Sequence, residues 1–213
     1  AQVIPTQKRV GTEYVYDVTF TIQEGKRYRV GIVKVFGNYR TENSVILHET
    51  LLIPGEYFNT NLLQKSEERL KNIGYFKNVN IYATRASSIT GAAEQFRDIH
   101  VEVEEVPTTA NFQAYVAYST SESLSGGLGI TESNFNIAGF PHIFSKGLRA
   151  LRGGGEYFGI NTTIGTKQLS YTLSWSKPYF MDTPWSVGVD LQKMRNSFAS
   201  DDYTIKSYSA QVS

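Results

Sequence analysis

The chain contains no cysteine, which excludes disulfides, thiolate catalysis and thiolate metal sites. Its 21 basic and 20 acidic residues nearly cancel, leaving a net charge of +1. Nothing electrostatic draws it to nucleic acid, and none is expected as a partner. Only three histidines occur, His48, His100 and His142, too far apart in sequence to form a metal-ligand pair. There is no run of about 18 apolar residues, so no transmembrane helix is expected. The opening Ala1-Gln2-Val3-Ile4-Pro5 has neither the basic nor the apolar region of a secretory signal. Two glycine runs, Gly126-Gly127-Leu128-Gly129 and Gly153-Gly154-Gly155, lack the Lys-Ser or Lys-Thr of a phosphate loop. They read as strand glycines that permit bending. No serine sits in a nucleophile elbow. An enzyme is therefore not expected, and neither is a catalytic residue, a cofactor or a metal.

What the chain does have is aromatic side chains, with 14 Tyr and 12 Phe against a charged fraction of 19%. That balance suits β-structure or an interfacial belt better than a helical bundle. Its character changes near Pro107. Before that point strands and helices mix. Tyr14 to Gln23 and Arg29 to Phe36 read as strands, the second closed by Gly37-Asn38. Thr41 is placed to cap a helix through about Leu51, with Val45, His48 and Leu52 on one face. A second helix starts near Asn59 or Thr60 and carries Leu63, Leu70 and Ile73. Gly74 is its natural terminator. Asn78 to Thr84 and Asp98 to Glu105 are further strands, separated by a loop from Ser87 to Ala93. Glu102 and Glu104 share one side of their strand, and the reading is a solvated face rather than an acid–base pair. The order from Arg29 to Glu105 is β-α-α-β-β, an α+β domain of about 80 residues.

After Pro107 no helical periodicity persists. Leu169, Tyr171, Leu173 and Trp175 alternate with Ser170, Thr172, Ser174 and Ser176. Val187 and Val189 continue the pattern against Gly188 and Asp190. Phe112, Ala114, Val116 and Tyr118 alternate with Asn111, Gln113, Tyr115 and Ala117. Each segment is about the length a tilted strand needs to cross a bilayer. A soluble sandwich also alternates, so alternation alone leaves both readings open. Aromatic residues near the expected turns, Tyr179, Phe180 and Trp185 with Phe135 and Phe140, sit where a membrane girdle would be.

Val33-Lys34-Val35-Phe36-Gly37-Asn38, Pro54-Gly55-Glu56 and Leu70-Lys71-Asn72-Ile73-Gly74-Tyr75-Phe76-Lys77-Asn78-Val79 together resemble a POTRA domain. Residues 28–106 would be that domain, and 1–27 the end of a preceding one. Ser176-Lys177-Pro178-Tyr179-Phe180 is similar to a turn after the fourth barrel strand of the BamA-type assembly factors, with Lys where that family usually has Asn. The resemblance covers nearly the whole chain. It implies a periplasmic POTRA domain followed, over 107–213, by the first strands of an antiparallel outer-membrane β-barrel. About six strands of an expected sixteen or so are present, the last incomplete, and both ends read as cut from something longer.

The implied function is insertion of nascent β-barrel proteins by lending strand edges. Two edges are expected. One is the POTRA strand Asn78, Val79, Asn80, Ile81 and Tyr82. The other is the first barrel strand, Asn111, Phe112, Gln113, Ala114, Tyr115, Val116, Ala117, Tyr118 and Ser119, which would line the barrel seam. Proline at Gln113 or Tyr115 is expected to remove a donor needed by clients. Leu169, Tyr171, Leu173, Trp175, Val187 and Val189 are expected to face lipid. Expected partners are nascent outer-membrane proteins, accessory lipoproteins of the assembly machinery and outer-membrane lipid. The rivals are a protein-translocating pore of the same superfamily (two-partner secretion or autotransporter assembly), a barrel enzyme with its site elsewhere, and a soluble periplasmic binding module.

Overall fold

The computed structural model describes residues 2–9, 16–86, 95–119, 123–197 and 204–213. It contains three sheets. The first is a hairpin of β1 (Gln2–Arg9) and β2 (Tyr16–Gln23). The start of the expected Tyr14 strand lies outside the described residues, as does the loop from Ser87 to Ala93. Phe20 and Ile22 of β2 are well exposed.

The second unit runs β3 (Arg29–Phe36), α1 (Asn43–Glu49), α2 (Thr60–Asn72), β4 (Phe76–Arg85) and β5 (Phe96–Glu105). This is the expected β-α-α-β-β order. The sheet order is β3-β5-β4, parallel between β3 and β5 and antiparallel between β5 and β4. Both helices pack on one face, where Ile46, Leu70, Ile99 and Val101 are fully buried with Val30, Leu52, Phe76, Val79, Ile81 and Val103 around them. Each such side chain contributes about 1.5–3 kcal/mol by leaving water. A register shift between Val30 and Val33 is held by Asp98, whose buried carboxylate accepts from the Ile32 amide at 3.1 Å. A Cβ on Gly31 would stand 2.3 Å from that carboxylate. The opposite face is solvated: Glu102 accepts from the Tyr82 hydroxyl and Glu104 from Lys77 and Asn78.

The helices differ in detail from expectation. α1 begins after Glu42, not Thr41, and buries Ile46 rather than His48. Thr41 is itself buried, and its amide donates to Glu105 at 2.7 Å. The helix therefore pivots on a contact distant in sequence, which a local capping rule does not register. Of the two candidate caps, Asn59 and Thr60, it is Asn59 that caps α2. It also buries Ser66, whose hydroxyl donates to the Leu62 carbonyl and accepts from the Leu51 amide.

The third sheet is a meander of six strands: β6 (Ala110–Ser119), β7 (Ser123–Phe135), β8 (Glu156–Gly165), β9 (Gln168–Lys177), β10 (Val187–Ser197) and β11 (Thr204–Val212). All neighbours are antiparallel. Between β7 and β8 lie two 3-10 turns, Ile137–His142 and Gly147–Leu151, flanking the single helical turn α3 (Ile143–Lys146). No helix was expected after Pro107. Pieces this short, broken by Pro141 and Gly147, carry no apolar period to detect.

Register aligns the side chains into rows. Phe112, Ile130, Ile160, Leu173, Leu191 and Ala210 lie directly opposite one another across all six strands. One residue along, the row is Gln113, Gly129, Asn161, Thr172, Gln192 and Ser209. One face is thus apolar and the other polar, as a barrel wall between lipid and a wet interior requires. The first five side chains of the apolar row are exposed, from 37% at Leu173 to 66% at Phe112.

Candidate functional site: two strand edges and the joint between them

The two sheets end in strands with no neighbour on one side among the described residues: β4 in the helix-covered unit and β6 in the six-stranded sheet. Asn78 to Tyr82 lie in β4 and Asn111 to Ser119 in β6, so both stretches picked from sequence lie on edges. In an antiparallel ladder alternate residues aim their N–H and C=O groups at alternate neighbours. The Ser133 amide bonds the Thr109 carbonyl, which with the register makes Asn111, Gln113, Tyr115 and Ala117 the residues that bond β7. The groups of Phe112, Ala114, Val116 and Tyr118 therefore point to the open side. On β4 the Ala86 amide bonds Phe96, so Asn78, Asn80 and Tyr82 bond β5, and Val79 and Ile81 aim outward. This corrects the expectation about proline. At Gln113 or Tyr115 it would break the ladder to β7, whereas at Ala114 or Val116 it would remove an edge donor.

Leu169, Tyr171, Leu173, Trp175, Val187 and Val189 all fall on the apolar face of β9 and β10. Of the aromatics near the turns, Trp185 and Phe140 are exposed. Phe135 is instead buried and stacks on Phe158 at 4.7 Å. Tyr179 stacks on His48 of α1 at 4.7 Å, so it belongs to an inter-unit contact and not to a girdle.

That contact is one part of a joint that sequence reasoning missed. Residues 106–109 link β5 to β6. Around this link Arg40 donates to the Pro107 carbonyl at 2.7 Å. The Asn134 side chain donates to Thr41 Oγ1 at 2.9 Å and accepts from the Gly155 amide. Glu42 accepts from Asn136, and its amide bonds the Gly153 carbonyl. The Tyr75 hydroxyl donates to the Ser133 carbonyl at 2.6 Å. Burial, reinforced by Glu49 and Glu132, pushes the Tyr75 phenol up to about 12. Glu132 in turn pairs with Arg152 at 2.9 Å and accepts from Thr109.

The triple glycine lies in this joint and not in a strand. Gly153 and Gly155 have φ of +104° and +69°, and a Cβ on Gly153 would lie 2.0 Å from the Arg40 carbonyl. Only glycine allows both the conformation and the approach.

A second anchor lies at the end of the sheet. Glu156 is fully buried. It accepts from Trp175 Nε1, the Ile137 amide and Lys177 Nζ at 2.9–3.0 Å, so its charge is compensated on every side. The turn beyond Lys177 holds three non-glycine residues at positive φ, Tyr179, Met181 and Asp182. Asp182 reaches His48 at 3.1 Å. Burial and Glu49 raise the Tyr179 phenol above its ordinary value. A cleft of about 370 Å³ between these turns and α1 is lined by Glu42, His48, Glu49, Tyr75, Lys177 and Tyr179, among others. The signal that could have found the joint was the Gly-Tyr-Phe of residues 74–76 together with the glycine run, but nothing local pairs them.

Comparison with known proteins gives two family matches. Residues 28–106 match the POTRA model, described as a surface antigen variable number repeat, and 151–213 match the Omp85 superfamily domain. The outer membrane protein assembly factor BamA of Nitratidesulfovibrio vulgaris is 28% identical over 204 residues, covering 96% of this chain and 23% of that protein. A putative outer membrane protein assembly factor of Treponema pallidum is 28% identical over 187 residues, covering 87% and 20% respectively. The chain therefore spans only about a quarter or less of the length of these relatives. The crystal structure of Haemophilus ducreyi BamA lacking POTRA domains 1–3 shares the fold over 99% of this chain and 36% of its own, with 21% identity and a TM-score of 0.75.

Proposed function

We propose that this chain, a POTRA-and-barrel segment of the Omp85 superfamily resembling BamA, serves to fold and insert nascent β-barrel proteins into the outer membrane. It resides there with its POTRA unit in the periplasm. Residues 1–27 are the end of a preceding POTRA domain, whose exposed Phe20 and Ile22 call for a covering surface. The physical task is to satisfy the N–H and C=O groups of a strand entering hydrocarbon, where no water can do so. An edge already in the membrane supplies those partners without chemistry, and no catalytic residue is required.

The observation that carries this reading is the place of β6. Among the described residues it is an edge strand, it follows the POTRA sheet after a four-residue link (106–109), and its outward-aimed groups lie on Phe112, Ala114, Val116 and Tyr118. Main-chain bonding gives affinity with little demand on client sequence. Accessory lipoproteins of the machinery are the further partners. The test is disulfide trapping in the complete protein. Cysteines along Asn111 to Ser119 are expected to capture a stalled client strand with a two-residue periodicity, and Ala114→Pro is expected to impair insertion while the barrel still folds. Absence of any trapped client during active insertion overturns the proposal. Trapping of an exported polypeptide in transit, with no inserted barrel, supports the translocating-pore alternative instead.

A further inference from the structure

The apolar face is not uniform in height. On β9 its outward residues stay apolar along the strand, through Trp175, Leu173 and Tyr171 to Leu169. On β10 the outward series is Val187, Val189, Leu191, then Lys193 and Arg195. On β11 it is Val212, Ala210, Tyr208, then Lys206. Register sets Arg195 directly opposite both Leu169 and Lys206, and Lys193 opposite both Tyr171 and Tyr208. Three cations therefore occupy rows that are still apolar one strand away. All three are exposed on the outward face, and Lys193 Nζ lies over the Tyr208 ring at 5.7 Å. The turns that touch the POTRA unit mark the periplasmic end, so this cluster lies towards the cell exterior.

Directly beneath it the same face carries a shallow groove. A groove of about 590 Å³ is lined by Ile160, Tyr171, Leu173, Leu191, Lys193 and Tyr208. A lysine or arginine within an apolar belt is costly unless its head reaches water or an anion. Here three lie within two neighbouring rows of adjacent strands, above an open apolar groove. Electrostatics and shape together select an amphiphile with an anionic head and a chain pointing towards the mid-plane.

We infer that β9, β10 and β11 form a binding site for one phosphate-bearing lipid of the outer leaflet. Lys193, Arg195 and Lys206 hold its phosphate, and the groove over Leu173 and Leu191 takes one acyl chain. The site draws on β8 to β11 and includes no residue of β6, so it is separate from the edge proposed to meet clients.

The test uses the complete protein in phosphatidylcholine bilayers doped with a bisphosphorylated, hexa-acylated glucosamine lipid, with lipid retention read by native mass spectrometry. Wild type is expected to retain this lipid at least tenfold better than its dephosphorylated form. Millimolar inorganic phosphate is expected not to displace it, which separates a lipid site from a free-phosphate site. The K193Q/R195Q/K206Q variant is expected to lose the preference. Leu191→Trp, which fills the groove but keeps the charges, is expected to weaken retention severalfold. Where the triple variant does not fold, Lys206→Gln alone is read, with a smaller loss expected. Equal retention of both lipids by wild type, displacement by free phosphate, unchanged retention in the charge variants, or unchanged retention in Leu191→Trp each overturns the inference.

Discussion

The POTRA unit and the six-stranded sheet bury their apolar residues in opposite senses. The ten residues of the buried cluster all lie between Val30 and Val103. Among its described residues the sheet beyond Pro107 buries one large apolar side chain, Phe135, and leaves Phe112, Val116, Leu128, Ile130, Ile160 and Leu191 exposed. Both halves alternate apolar and polar residues, yet one folds its apolar side onto two helices and the other offers it to whatever surrounds it. Alternation specifies a two-faced sheet; the presence or absence of covering helices decides what solvent that sheet is made for.

The contrast can be broken by experiments of decreasing expected effect. If the POTRA unit carries its own core, residues 28–106 fold alone in plain buffer, and Leu70→Ala costs about 2–5 kcal/mol through the cavity it leaves. Urea denaturation measures this, and a cost near zero would mean that the core is completed elsewhere. If lipid is the partner of the other face, Leu173→Arg costs the complete barrel about 2–4 kcal/mol near the mid-plane, and Thr172→Arg, on the wet face, clearly less. Reversal of that order in bilayer unfolding titrations would invert the facing.

The joint is expected to matter less. Tyr75→Phe removes one buried hydrogen bond and is expected to cost about 1 kcal/mol, seen as a broader distance distribution between spin labels on α2 and β8. The smallest effect is that of pH on the same contact. The Tyr75 phenol is raised to about 12 in the folded protein, above its ordinary value near 10. Its contribution is therefore fully present below pH 10 and is lost as the pH climbs towards 12. Label distances that widen already between pH 7 and 9 would assign the joint to other groups.

The parts legible from sequence are those written in short-range pattern. The β-α-α-β-β order, the cap at Asn59, the terminator Gly74 and the shared face of Leu169 to Trp175 all follow from periodicity and turn chemistry. The joint was not legible, because its members are far apart in the chain. Thr41 looked like a cap because its local context is that of one, but its partners are Glu105 and Asn134. Gly153 looked like a strand glycine until Arg40 lay against it. Glu156 carried no signal at all: a lone acid at the start of an apolar strand becomes an anchor only when Trp175, Lys177 and the Ile137 amide converge on it. The direction in which β6 aims its free donors likewise depends on register with β7, which one strand's sequence does not contain.

On β6 the residues that aim their bonding groups at the open side, Phe112, Ala114, Val116 and Tyr118, are the same ones whose side chains face outward. Any chain that docks there places opposite each of them a residue that also faces outward. Under the proposed function, this edge is a vernier with a pitch of two residues, about 6.8 Å along the strand. A slip of one step of the vernier leaves the newcomer's oily side on the oily side. A slip of half a step turns every side chain over, and the hydrocarbon rejects it. On that proposal, strands of unrelated sequence are sorted by orientation alone, before any of their side chains is recognised.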